Sequence, residues 1–194
     1  MWVPTSEFMT QTQDTEKQFA AAMAACRQVF VAKLGDYGPS WRIMRPEAIT
    51  DQLFIKAKRI RTLQITGQSA VGEGILPEFI AIVNYGIIGI IQLRRGFADR
   101  KDISNEEAVA EYDGIAREAE ALMIKKNTDY NEAWRGMRVL SYVDLILAKI
   151  ERTKEIEDHS GHTDVSEGID ANYFDMVNYA VFGIIKLTEN AACR

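Results

Sequence analysis

Two short stretches of this chain concentrate charged and aromatic side chains that a hydrophobic core does not need. The first holds Asp36, Tyr37, Trp41, Arg42 and Arg45, followed by Lys56 and Arg59. The second holds Asp129, Tyr130, Trp134, Arg135 and Arg138, followed by Lys149 and Arg152. Guanidinium groups offer a bidentate fork to phosphate oxygens, and ammonium groups add point charges. Tryptophan or tyrosine can stack on a base or ring. These residues are therefore candidates for binding a nucleotide or another phosphate-bearing small molecule. The alternative needs no ligand: the tryptophans anchor a loop on the core, and Asp–Arg pairs lock its shape.

A second group is acidic. Glu167, Asp170, Asp175 and Asn178 fall on one helical segment. At about 100° per residue, Glu167 and Asn178 point alike about three turns apart, and Asp175 shares the side of Asn178. Together with Asp144, Glu167 and Asp175 are the expected ligands of Mg²⁺, which takes a few carboxylates and keeps several waters. The earlier stretch is thinner, with Asp51, Glu73 and Glu78 but Ala81 in place of Asp175. Here the alternatives are helix capping for Glu73 and Glu167 and a solvated face for Asp170. Asn84 and Asn178 each precede a tyrosine inside an apolar run. A buried amide must be hydrogen-bonded or it costs about 1–3 kcal/mol, so each asparagine either ties helices together or orients a ligand. His159 and His162, with no cysteine nearby, read as a solvated turn rather than a zinc site. No Walker-type glycine loop, Gly-x-Gly-x-x-Gly or supported Ser-His-Asp order occurs.

The elements that position these residues come in two copies. KLGDYGPSWRIMR, from Lys33 to Arg45, returns as KNTDYNEAWRGMR, from Lys126 to Arg138, and the register holds through Asp51/Asp144, Lys56/Lys149 and Arg59/Arg152. After one inserted residue, VGEGI matches VSEGI, and VNYGIIGIIQL matches VNYAVFGIIKL. Such self-similarity marks a duplicated structural unit. Each unit reads as three helices around a loop carrying the Asp-Tyr…Trp-Arg motif. The first helix runs from about Asp14 to Lys33, and its counterpart runs from a Ser-Asn-Glu-Glu capping box at Ser104 to about Lys126. The second begins near Thr50 or Ser141 and ends near Gly67 or His159. The third is the most apolar; Pro77 lies in its first turn in one copy, and Asp164 with Glu167 caps the other. The expected fold is all-α, a helical bundle of two three-helix repeats, residues 1–98 and 99–194, related by a pseudo-two-fold axis about the two third helices. Gly96 to Asn105 is the linker.

Bulk composition narrows the partners. A chain of 194 residues, 47% hydrophobic, can bury a core without disulfides or metals. A net charge of −5 carries no strong nucleic-acid signal and argues against a membrane-surface binder. Cys26 and Cys193 fit thiols of a reducing cytoplasm. The run from Phe79 to Leu93 is interrupted by Asn84 and Tyr85 and reads as a buried core helix.

The combined motifs resemble the nucleotide modification associated domain family. Its members carry Lys-x-x-Asp-Tyr…Trp, a Lys-x-x-Arg helix, and a final helix with Asp-x-x-Asn-Tyr. The second unit matches with Lys126, Asp129, Tyr130, Trp134, Lys149, Arg152, Glu167, Asp175, Asn178 and Tyr179. The first matches with Lys33, Asp36, Tyr37, Trp41, Lys56, Arg59, Glu73, Asn84 and Tyr85. The family often has an Asp just before the helix-two lysine, where this chain has Ile55 and Ala148. The resemblance implies an association with nucleotides or modified bases. A more distant likeness, of architecture and chemistry, is to the MazG and dimeric dUTPase type of all-α nucleotide pyrophosphatases, which use Mg²⁺. Three functional expectations follow: a Mg²⁺-dependent nucleotide hydrolase, a non-catalytic nucleotide- or protein-binding adaptor, or a purely structural helical protein that works by oligomerising. A homodimer is compatible with each.

Overall fold

The computed structural model of the chain describes residues 6–67, 74–159, 161 and 167–192. Among the described residues there are six α-helices and no strand: α1 (Ser6–Tyr37), α2 (Pro46–Thr66), α3 (Leu76–Arg95), α4 (Asn105–Tyr130), α5 (Val139–Asp158) and α6 (Ile169–Ala192). Short 3₁₀ turns, Ser40–Ile43 and Ala133–Gly136, join α1 to α2 and α4 to α5. Each helix packs on its own repeat counterpart, α1 on α4, α2 on α5 and, most extensively, α3 on α6.

Local chemistry explains most boundaries. Ser104 caps α4 as expected: its hydroxyl accepts from the Glu107 N–H at 3.1 Å, and the Glu107 carboxylate accepts from the Ser104 N–H at 2.9 Å. Gly67 ends α2 in the left-handed region, φ 65°, where a side chain would be strained. The second helices start earlier than Thr50 and Ser141 suggest. Arg45 and Arg138 are extended residues just before them, and Pro46 opens α2, where a missing N–H is harmless. Thr50 is instead buried inside α2, bonded to Glu157 at 2.6 Å and to the Tyr173 hydroxyl at 2.7 Å. The first helices also run further than expected, so both Asp-Tyr pairs close a helix rather than lying in a loop. α6 begins only at Ile169, leaving Glu167 ahead of it; the proposed cap residue Asp164 lies outside the described residues.

The bundle axis is the α3–α6 contact. Phe79, Ile82, Val83, Ile87 and Ile90 of α3 are fully buried there, as are Tyr173, Met176, Val177 and Val181 of α6. Glycines let the backbones approach. A Cβ on Gly89 would lie 2.8 Å from the Tyr173 ring, and one on Gly183 would lie 2.7 Å from the Phe79 ring. These pairs are repeat equivalents, so the contact is self-complementary, as a two-fold relation requires. Leu76–Arg95 is long and apolar enough to cross a membrane, but 67% of its most apolar window is buried inside the protein.

Candidate functional site

The Trp-Arg turns are clasped from behind. Arg42 is only 2% exposed; it donates to Asp102 at 2.7 and 3.1 Å, to the Gly96 carbonyl at 2.7 Å and to the Gln92 side chain. The Gln92 amide in turn donates to the carbonyls of Trp41, Arg42 and Met44. In the second unit Glu132 is the hub, at φ 59° and buried. It accepts from Thr15 at 2.5 Å, Trp134 Nε1 at 3.0 Å, Arg135 at 2.9 Å and the Asn127 amide. Arg135 also donates to Thr15 and Gln18, and Lys186, the repeat equivalent of Gln92, donates to its carbonyl at 2.6 Å. Arg42 and Arg135 thus lock the two turns through these contacts. Gln92, Asp102 and Glu132 were not among the sequence candidates; a polar residue at the end of an apolar run is the signal that could have found Gln92.

In front of each turn lies a cavity, and the two are repeat equivalents. The first-unit cavity, about 370 Å³, is bounded by Lys33, Tyr37, Trp41, Ala81, Asn84 and Tyr85. The second, about 280 Å³, is bounded by the matching Lys126, Tyr130, Trp134, Asp175, Asn178 and Tyr179. α1 or α4 supplies the lysine and tyrosine, the 3₁₀ turn the tryptophan, and α3 or α6 the remainder. The duplicated motif therefore gathers into one concavity per unit, the ordinary form of a small-molecule site.

The asparagines hold helices together. Asn84 donates to the Cys26 carbonyl at 3.1 Å and accepts from the Tyr112 hydroxyl at 2.8 Å. Asn178 donates to the equivalent Ala119 carbonyl at 3.2 Å. Its buried Oδ1 has no partner among the described residues, because Phe19 stands where Tyr112 serves the other copy. The tryptophans differ in the opposite sense. Trp134 Nε1 is bonded to Glu132, whereas the buried Trp41 Nε1 has no partner among the described residues, since Pro39 replaces that glutamate.

Charge is distributed unequally. Asp175, 7% exposed, accepts from Lys126 at 2.5 Å and from Lys149 at 2.7 Å. Burial pushes its carboxyl up, but the two ammonium groups outweigh this and hold it below its ordinary value. Lys126 is raised: burial alone would lower it, and the bond to Asp175 overcomes that. In the first unit Ala81 takes the aspartate's place; Lys56 and Arg59 pair with Glu78, and Lys33 makes no ion pair among the described residues.

The expected metal ligands are not brought together. Asp144 is exposed and pairs with Arg61 at 2.5 Å, Glu167 is exposed ahead of α6, and Asp175 is held by two lysines. Among the described residues, no group of three His, Cys, Asp or Glu side chains is placed to hold a metal ion. A carboxylate committed to two ammonium groups suits a charge lock better than a Mg²⁺ site. Asp36, Arg45, Asp129 and Arg138 are exposed at helix ends and do not border the cavities, and Arg152 is half-buried on α5. His159 caps the C-terminus of α5 as a turn residue; His162 lies outside the described residues.

Fold and site together define a duplicated all-α protein with one lysine- and aromatic-lined cavity per repeat. The chain belongs to the family described as nucleotide modification associated domain 1, whose model matches it twice, over residues 33–93 and 126–187, more than half of its length. Each match begins on the cavity lysine, Lys33 or Lys126, and ends beyond the Asn-Tyr pair. No solved structure and no curated protein matches the chain.

Proposed function

We propose that this protein binds nucleotides in the cavities formed by its duplicated motif, and that it acts as a binding module rather than a hydrolase. The observation that carries the reading is the recurrence of lysine, two tyrosines and tryptophan around a largely apolar concavity in both repeats. The aromatic faces suit a base and the lysine suits a phosphate. The family's description, which associates its members with nucleotide modification, supports a nucleotide as the class of ligand. The hydrolase reading needs a carboxylate cluster for Mg²⁺, which the described residues do not form.

Isothermal titration with nucleoside mono-, di- and triphosphates tests the proposal, with and without Mg²⁺ and with pyrophosphate release followed in parallel. Binding without turnover is the expected result. Mg²⁺-dependent pyrophosphate release would make the chain an enzyme, and no heat with any nucleotide would sink the reading.

A further inference from the structure

The two cavities share a motif but differ at the positions that decide which ligand each can hold. In the second unit, the Asp175 carboxylate already sits where an anion would, bridging Lys126 and Lys149. In the first unit that position is open: Ala81 offers no carboxylate, and Lys33 has no ion pair among the described residues. Lys101 adds a second cation at the same end. Its side chain passes within 4 Å of where a Cβ on Gly38, a cavity residue, would lie, and its ammonium donates to the Tyr37 carbonyl at 2.5 Å.

We propose that only the first-unit cavity takes an anionic ligand, a nucleoside monophosphate, and that Asp175 occupies the corresponding anion position of the second. This assignment rests on the nucleotide-binding reading above and says which repeat binds and what charge it accepts. Lys33 and Lys101 supply two positive charges, and a phosphate monoester carries about −1.5 to −2 at pH 7. The base lies among Tyr37, Trp41 and Tyr85, which border the cavity. Longer phosphate chains bring charge that these two cations do not match.

The pseudo-two-fold relation supplies the test, since each cavity can be given the other's residue. Titration of the wild-type chain with the four ribonucleoside monophosphates should give one site per chain for the best ligand. Ala81→Asp places a carboxylate beside Lys33 as Asp175 lies beside Lys126, and should weaken binding about ten- to a hundredfold, the loss of one charge-assisted contact. Ala81→Asn adds the same bulk without charge and should retain most of the affinity. Asp175→Ala should free Lys126 and Lys149 and raise the stoichiometry towards two. Two equivalent sites in the wild type, or equal losses in Ala81→Asp and Ala81→Asn, would overturn the assignment while leaving nucleotide binding intact. Failure of every nucleotide to bind would end both proposals.

Discussion

Gly183→Ala is the sharpest test of the pseudo-two-fold core. An alanine Cβ there would meet three carbons of the Phe79 ring at 2.7, 2.9 and 2.9 Å. Carbon atoms prefer about 3.5–4.0 Å, so the overlap approaches 1 Å at three atoms. Phe79 is fully buried and has no solvent side to move towards. Overpacking of this kind costs about 1–3 kcal/mol, and the severity of the overlap points to the upper end. Alanine recovers about 1 kcal/mol of helix propensity over glycine. The net expectation is a loss of about 2 kcal/mol, or about 4–8 °C in Tm for a chain of this size. Gly114→Ala is the control. It lies within α4 with nothing within 4 Å of its would-be Cβ, so it should gain about 0.5–1 kcal/mol. Urea unfolding followed by far-ultraviolet circular dichroism reads both. Gly89→Ala, the repeat equivalent facing the Tyr173 ring, should lose about as much as Gly183→Ala. If Gly183→Ala proved as stable as the wild type, the close approach of α3 and α6 would be wrong.

Three further outcomes are expected. Asp175→Asn should destabilise the protein by about 1–2 kcal/mol at pH 7, because two partly exposed lysines lose their counter-charge. The folded carboxyl is held below its ordinary value of 3.8, so its stabilisation is complete above that pH and disappears as the pH falls through the folded value. Urea titrations of wild type and variant should therefore converge in acid, and a gap that persisted there would refute the charge lock. Trp134→Phe removes the donor to the buried Glu132, whereas Trp41→Phe removes one with no partner among the described residues; the former should cost about 1–2 kcal/mol more by thermal melts, and equal costs would count against the assignment. Burial pushes the Cys26 thiol up to about 12, so in a Cys193→Ser background an aromatic disulfide reagent should react only after unfolding. Rapid labelling of the native protein would contradict that burial.

Much of the architecture was legible because it depends on local pattern. The duplication needs only comparison of the chain with itself, and the third helices declare themselves by apolar runs too dense for any surface. The Ser104 capping box works within four residues, so sequence alone locates it. The motif residues Lys33, Tyr37, Trp41 and Asn84 could be selected as a set, and they do border one cavity. Thr50 misled because a hydroxyl that can cap a helix can equally bond to groups brought from elsewhere, here Glu157 and Tyr173.

By itself, then, the sequence determined an all-α duplicated bundle and which residues crowd around each Trp-Arg turn, since helical period and repetition are properties of a single strand of residues. Tertiary structure alone decided what those residues do. Arg42 turns inward to Asp102, and Asp175 meets Lys126 and Lys149, through contacts between residues far apart in the chain. Helical spacing says which face a side chain occupies but not what that face will meet. A buried charge takes whatever partner satisfies it, and only the packed helices settle which partner is within reach.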